Sequence, residues 1–298
     1  MMPKNHTPKN FHVDFQDIPA WLPDAQARIL ILAPHPDDET LAAGGLIASS
    51  LATHPAAQIR VVVATNGDAS LLTTLGAKMN IWDRRNFQRM AVRRQQESIS
   101  ALIFLGLDIR QILFWGFPDR GLDSLWQGYW KADRLYRSAT TGYEQSEQAV
   151  NSPRLPYTGA SLLSLFQKEL TEFQPTTVIF PHPEDAHPDH SALSRFALLS
   201  AGIYANKSQN QAPEYLAYRM WQDGKLWLKA AGNIPAESHQ LWQRLSLSPE
   251  IHKKKVLALQ CYASQKFAAG QPLRDAAQRS HEIFASLQPY AASSQAIH

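Results

Sequence analysis

Apolar residues in this chain gather into short unbroken runs, separated by stretches in which they recur at helical spacing. Residues 28–33 and 59–65 are near-continuous and rich in β-branched side chains, the pattern of strands covered on both faces. Between them, residues 40–52 place Leu41, Leu46, Ile47 and Leu51 roughly on one helical face. Strand, helix, strand at this spacing predicts a βαβ unit, with parallel strands and a right-handed crossover. The turn signal Asn66-Gly67-Asp68 closes the second strand. Residues 83–105 predict a long helix ending at Gly106. A third strand follows at 111–115, a helix at 160–173, a fourth strand at 176–180 and a helix at 191–204. Residues 205–213 read as a polar linker, 215–221 with 226–228 as a peripheral strand pair, and 249–266 as a last helix before a polar, alanine-rich tail.

Two stretches depart from this rhythm. Residues 1–27 read as an N-terminal arm, leaving 28–298 as one α/β domain. Between 122 and 158 periodicity is lost while Trp126, Tyr129, Trp130, Tyr136, Tyr143 and Tyr157 accumulate. Long aperiodic segments inside a domain are usually functional or disordered. Two readings stand: a surface on which sugar rings stack, and a packed structural insertion. Arg85, Arg89 and Arg93 recur every four residues in the long helix, and a solvated face explains them better than phosphate contact.

Composition narrows the class. Of 298 residues 44% are hydrophobic and 18% charged, as in soluble globular proteins, and a net charge of +3 is too small to argue for nucleic acid. The single cysteine, Cys261, excludes an intrachain disulfide and a thiolate zinc site, so a metal would need His, Asp or Glu. The polar start of the chain lacks the apolar core of a secretory signal, and no apolar run approaches the roughly 20 residues that span a bilayer. The expectation is a cytoplasmic protein without stable membrane insertion; a homo-oligomer is left open.

The chemistry lies where apolar runs end. After Ala33 come Pro34, His35, Pro36, Asp37, Asp38 and Glu39. Three adjacent carboxylates need a counter-charge, from a helix N-terminus or a metal ion. With Pro36 at the first helical position, His35 becomes the cap and the acids fill the first turn. His35 and Asp38, at i and i+3, then share a side and can share a metal, while Asp37 is rotated about 100° away. Such a carboxylate is placed to take a proton from water on that metal.

A second cluster follows the fourth strand, with two candidate spacings: His182 with Asp185, and His187 with His190. Spacing alone leaves both open. Parallel strands deliver their carboxyl ends to one edge, so the clusters can meet. Two histidines, one aspartate and a water make the open tetrahedral site of a catalytic zinc, which predicts hydrolysis of an amide or ester. Taken singly, the acids are also explained as helix-start residues and His182 as a satisfied core histidine. Two proline-set clusters at strand ends favour the metal. The other seven histidines stand alone.

The segments Pro34-His35-Pro36-Asp37-Asp38-Glu39 with Gly44-Gly45, and His187-Pro188-Asp189-His190, resemble the LmbE/PIG-L family of zinc-dependent N-deacetylases. Thr65-Asn66-Gly67-Asp68, Arg94-Gln95-Gln96-Glu97, Asp119, Lys255 and Ser264-Gln265 extend the resemblance over most of 28–285. It implies a Rossmann-like, mostly parallel sheet with helices on both faces and an active site at the carboxyl ends of the strands. It implies removal of the N-acetyl group from an N-acetylated sugar or glycoconjugate, with one zinc or another divalent ion. The zinc ligands then fall on His35, Asp38 and His190, and the general base on Asp37. His187 becomes the oxyanion stabiliser and proton donor, oriented by Asp189, while Arg94 and Asp119 contact substrate. Glu39, His182 and Asp185 are left in support.

The segment 122–158 has no firm counterpart in shorter members, so substrate identity is where this chain departs. A related amidase acting on a thiol-sugar conjugate or a longer acyl group, and a non-catalytic sugar-binding protein, are the alternatives. A nucleotide-binding Rossmann protein is set aside. The first βα turn has no Gly-x-Gly-x-x-Gly, and its carboxylates would repel a pyrophosphate.

Overall fold

In the computed structural model the buried runs form the middle of one sheet. It describes residues 16–17, 26–70, 78–146, 154–207, 212–222, 225–226, 242–265 and 270–289. The first half comprises β1 (Gln16–Asp17), β2 (Arg28–Ala33), α1 (Asp38–Thr53), β3 (Gln58–Thr65), α2 (Arg84–Leu105), β4 (Ile112–Phe117) and α3 (Leu122–Gly128). The second comprises α4 (Gly159–Phe173), β5 (Thr177–Pro181), α5 (Pro188–Lys207), β6 (Glu214–Tyr218), β7 (Trp221–Gln222), β8 (Lys225–Leu226), β9 (Trp242–Ser246), α6 (Pro249–Leu259), α7 (Gly270–Ala277) and β10 (His281–Leu287). The strand order is β1-β9-β10-β6-β5-β2-β3-β4, with β7 and β8 forming a separate pair.

From β4 to β6 every pairing is parallel, and β10 runs antiparallel to both neighbours. This is the mostly parallel α/β sheet expected. Chain order reverses between β2 and β5, because β2 leads to β3 on one side and lies beside β5 on the other. Open α/β sheets bind ligands in the crevice at such a reversal, outside the carboxyl ends of the strands.

The strands are apolar on both faces because both are covered. Ile29, Ile31, Val61 and Val63 pack under α1, α2, α6 and α7. Leu30, Leu32 and Val62 pack under α3, α4 and α5. Local signals set the helix ends: Asp83 accepts a hydrogen bond from Arg85 N at the start of α2, Thr158 caps α4 and Ser248 caps α6.

The outer half of the sheet corrects the sequence reading. The strand expected at the periphery, β6, lies inside the sheet between β5 and β10. The tail read as polar and alanine-rich contains α7 and β10, and β10 buries Ile283, Phe284 and Ala285. The last predicted helix stops at Leu259, and a 3₁₀ turn at Ala263–Gln265 then carries Ser264 and Gln265 inward. Within the segment 122–158, Trp126 and Trp130 pack on Phe196, and Tyr157 packs on Phe117 while donating to the Gly116 carbonyl at 3.0 Å. Most of its aromatics therefore serve packing; residues 147–153 lie outside the described set. Of the arm, β1 pairs in parallel with β9, and the rest up to residue 25 lies outside the described residues. Among the described residues no helix is long and apolar enough to cross a membrane.

Candidate active site

Four strand ends supply the site: β2 through His35 and Asp37–Glu39, β3 through Gly67 and Asp68, β4 through Asp119, and β5 through Asp185–His190. The two clusters that spacing could only align do meet. Asp38 Oδ2 lies 3.1 Å from His35 Nδ1 and 3.2 Å from His190 Nε2. All three residues are buried.

His35 is not the helix cap that the sequence suggests. Helix α1 begins at Asp38 and its cap position is Asp37, whose φ of 131° lies where residues other than glycine are rarely found. The turn is over-determined around it. Glu39 Oε2 accepts from Asp37 N at 3.0 Å, and the other Glu39 oxygen takes Ser98 Oγ and Tyr262 Oη at 2.5 and 2.6 Å. Arg94 donates to the Pro36 carbonyl, the Gly67 carbonyl and Gln265 Oε1, and stands 3.7 Å from Asp37 Oδ2. Gly67, at φ 62°, lies directly under that guanidinium and leaves no room for a Cβ. Arg94, expected to contact substrate, is buried and engaged on the Asp37 turn.

Each histidine facing Asp38 has a carboxylate behind it. His35 Nε2 lies 3.1 Å from Asp189 Oδ2 and 3.3 Å from Asp119 Oδ1. His190 Nδ1 lies 3.4 Å from Asp185 Oδ2, an ion-pair distance without a well-formed hydrogen bond. Metal-ligating histidines are held this way, the far nitrogen on a carboxylate that fixes tautomer and ring plane. The supporting carboxylates are themselves anchored. Asp189 takes the Arg120 and Leu122 N–H groups at 2.6 and 3.1 Å, and Asp185 takes Met220 and Trp221 N–H at 2.6 and 3.0 Å.

His187 was expected to be oriented by the Asp189 side chain. In the structure that carboxylate serves His35, and the Asp189 backbone N–H donates to His187 Nδ1 at 3.2 Å. Since Nδ1 accepts, neutral His187 carries its proton on Nε2. His182 turns away and stacks on Trp242 with ring centroids 5.6 Å apart.

Burial and the crowding of carboxylates in this pocket favour a cation. Burial, then Asp38, push Asp37 up to about 8. Burial, then Asp119, push Asp68 up to about 7. Burial would also raise Asp38, but His190 and His35 outweigh it and hold it well below the usual range. Conversely, burial would lower His190, but Asp38 and Asp185 raise it to about 10. Burial, then His35 and His190, lower His187 to about 4. Without a metal, Asp38 is balanced only by protonated imidazoles.

Two triads offer donor atoms within 4.8 Å of one another: His35, His187 and His190, and His35, Asp119 and Asp189. A third set centres on Asp38, whose Oδ2 also accepts the His35 backbone N–H at 3.1 Å. His187 Nδ1 is taken by Asp189 N–H, and both Asp189 oxygens already accept backbone N–H groups. His35 Nδ1, Asp38 and His190 Nε2 are the donors that converge with carboxylate support behind them. Two neutral imidazoles and one carboxylate suit a divalent ion with an open position.

Spacing did not single out Asp68, Thr140, Tyr262 or Gln265 as site residues. Thr140 Oγ1 donates to Asp68 Oδ2 at 2.9 Å, and Gln265 Nε2 donates to the Pro36 carbonyl at 2.7 Å. The signal Asn66-Gly67-Asp68 after β3 pointed toward Asp68, and the resemblance, through Ser264-Gln265, toward Gln265.

A sequence profile described as PIG-L, GlcNAc-PI de-N-acetylase, matches residues 30–201. No curated protein matches the chain significantly. Among solved structures, an A40926 pseudoaglycone deacetylase is similar at 18% identity, with 90% of this chain and 100% of that one covered and a TM-score of 0.58. N,N'-diacetylchitobiose deacetylase from Pyrococcus horikoshii is similar at 18% identity, 88% and 83% coverage and a TM-score of 0.53. GalB, the 4-carboxy-2-hydroxymuconate hydratase from Pseudomonas putida KT2440, is similar at 16% identity, 90% and 99% coverage and a TM-score of 0.53. These likenesses concern fold, and a hydratase among them shows that the fold alone does not choose the reaction.

Proposed function

The chain belongs to the PIG-L family, and from that premise we propose that it is a zinc-dependent hydrolase removing the N-acetyl group from an N-acetylated sugar or glycoconjugate. One observation carries the reading. Asp38 Oδ2 sits between His35 Nδ1 and His190 Nε2 at 3.1 and 3.2 Å, while the adjacent Asp37 is held off that centre by an unusual backbone angle.

His35, Asp38 and His190 would hold the ion, which when bound acidifies water and polarises an amide carbonyl. Asp37 takes the proton of the attacking water. In the metal-free protein burial and Asp38 favour its protonated form, and positive charge beside it restores the carboxylate a base requires. Arg94 fixes the turn from beneath. Neutral His187 donates from Nε2 to the developing oxyanion. Asp37 then returns its proton to the leaving nitrogen, so that water and amide become acetate and free amine.

The test is acetate and amine release from N-acetylated sugars by protein stripped of metal and reloaded with zinc. Release by the reloaded protein and none by the stripped protein is expected. A protein that binds zinc yet releases acetate from no member of the panel would sink the reading. Extending the acyl chain in the same panel tests the longer-acyl alternative.

A further inference from the structure

A second, smaller cavity lies behind the loop that supports the metal site, and the proposed reaction does not use it. Arg219 and Met220 after β6, Lys255 of α6, Arg279 and Glu282 around the start of β10, and Leu41 of α1 line it. It leaves about 10 Å³ in which the centre of a water-sized atom can sit, room for one such occupant. Two guanidinium groups bring buried, unsatisfied nitrogens to its lining. Arg219, whose side chain is 11% exposed, donates from Nη2 to the Glu184 carbonyl at 2.8 Å, but its Nε has no hydrogen-bond partner. Arg279 Nη2 is likewise buried without one. Buried N–H groups are almost always paired, so two orphans on residues lining one cavity call for an acceptor inside it.

The charges around the cavity leave a positive excess. Lys255 and Glu282 are paired at 2.5 Å, and the two Glu282 oxygens are filled by Lys255 and by the Gly45 and Leu46 N–H groups. Burial lowers Arg279 to about 10 against the pull of Glu282 and the buried Asp275, and it stays charged at neutral pH. Glu184 stands 3.7 Å from Arg219 Nη1 but is 70% exposed, where water and salt screen it. His281 is lowered by burial, then by Arg279, Arg244 and Lys255, and is neutral at pH 7. The carboxylates of the metal site, which act on the lining residue Tyr218, are offset by His35, His190 and the ion proposed there. Arg219, Arg279 and Lys255 therefore face two buried acids, Glu282 and Asp275.

We propose that this cavity binds one chloride-sized anion between Arg219 and Arg279, and that the anion steadies the loop supporting the metal. A guanidinium only donates hydrogen bonds, and a halide only accepts them. A water in its place would accept from both arginines and leave its own two hydrogens facing Glu282 oxygens that are already filled. Arg219 is followed by Met220 and Trp221, whose N–H groups hold Asp185 behind His190. Arg279 stands between α7 and β10, so a shared anion ties that junction to the Asp185 loop. The site itself is independent of the hydrolase reading; only its link to zinc rests on His190 as a ligand.

Crystals of the zinc-loaded protein grown in sodium bromide test the site through the anomalous scattering of bromine, and a peak between Arg219 and Arg279 is expected. In solution, replacing isethionate by about 0.2 M chloride at constant ionic strength should raise Tm by about 3 °C, for a Kd about tenfold below that concentration. Arg279→Met and Arg219→Met, which keep the length of the side chain and lose the charge, should abolish that rise. Chloride held on the zinc instead would stabilise both variants as much as the wild type. Zinc affinity in a chelator competition should gain about threefold more from chloride in the wild type than in Arg279→Met. An empty cavity in bromide, or a chloride effect of equal size in wild type and variants, would overturn the site. A bromine peak without any effect of chloride on Tm would mark an adventitious ion only and would overturn it as well. A peak and a Tm rise with no difference in zinc affinity would keep the site and remove its link to the metal. Should neither variant fold, the bromide map and the Tm of the wild type decide.

Discussion

Asp37 holds a backbone conformation that costs a residue with a side chain about 1–3 kcal/mol. Glycine would adopt it freely, so Asp37→Gly should stabilise the metal-free protein by about 1 kcal/mol in urea unfolding. The same change should lower kcat by roughly 10²–10⁴ while zinc stays bound, and full turnover in that variant would refute the base assignment. Asp185 tests the support behind the metal. Asp185→Asn keeps an acceptor but removes the charge facing His190 Nδ1, and should weaken zinc binding about 10–100-fold in a chelator competition. At this scale the i, i+3 rule was informative for His35 and Asp38, because it acts locally, whereas His190 came only from the family resemblance, spacing having left His182 with Asp185 as a rival. The resemblance named Asp189 as the partner of His187, but not that its backbone N–H makes the contact while its carboxylate serves His35. The exchange by which the Asp189 carboxylate serves His35 depends on loop 120–122, far away in the chain.

Among elements, α1 begins at the proposed ligand Asp38, and the C-terminal part of the chain holds it in place. Glu282, from β10, accepts from the Gly45 and Leu46 N–H groups at 2.7 and 2.8 Å and pairs with Lys255 of α6 at 2.5 Å. Lys255 also donates to the Leu41 carbonyl at 2.9 Å. Both charged groups are buried. Glu282→Ala should cost about 3–5 kcal/mol in urea unfolding, because it strands the Lys255 charge, whereas replacing both residues by apolar ones should cost much less. Equal losses in the single and double variants would refute this coupling. The strands β2 to β5 were legible because a strand buried on both faces must be apolar throughout. By contrast, β9 and β10 have mixed patterns, and β6 reads like an edge strand. Their places in the sheet depend on which neighbour covers them, which no local window contains.

For the whole molecule, the buried acids and histidines make folding and metal binding one equilibrium. The metal-free fold keeps Asp37 and His190 at about 8 and about 10, above their unfolded values. A raised group stabilises the fold below its unfolded pKa and loses that contribution as pH rises to the folded one. Both losses run the same way, and the lowered His187 opposes them only up to about pH 6.5, so from there to about pH 10 the chelated protein should become less stable. Zinc binding near pH 7 should release protons, and the Tm gained on loading should grow from pH 6 to pH 8. A gap that shrinks over that range, measured by calorimetry of loaded and stripped protein, would contradict the charge balance. The sequence by itself determined the α/β class, the central βαβ unit and the residue types at two strand ends, since periodicity and proline geometry act within a few residues. The convergence of His35, Asp38 and His190, the engagement of Arg94 beneath Asp37 and the seat of Tyr136 on Gly121 were decided only in the tertiary structure. Those contacts join segments from about 15 to more than 150 residues apart, and their energy exists only once the sheet has brought the strand ends to one edge.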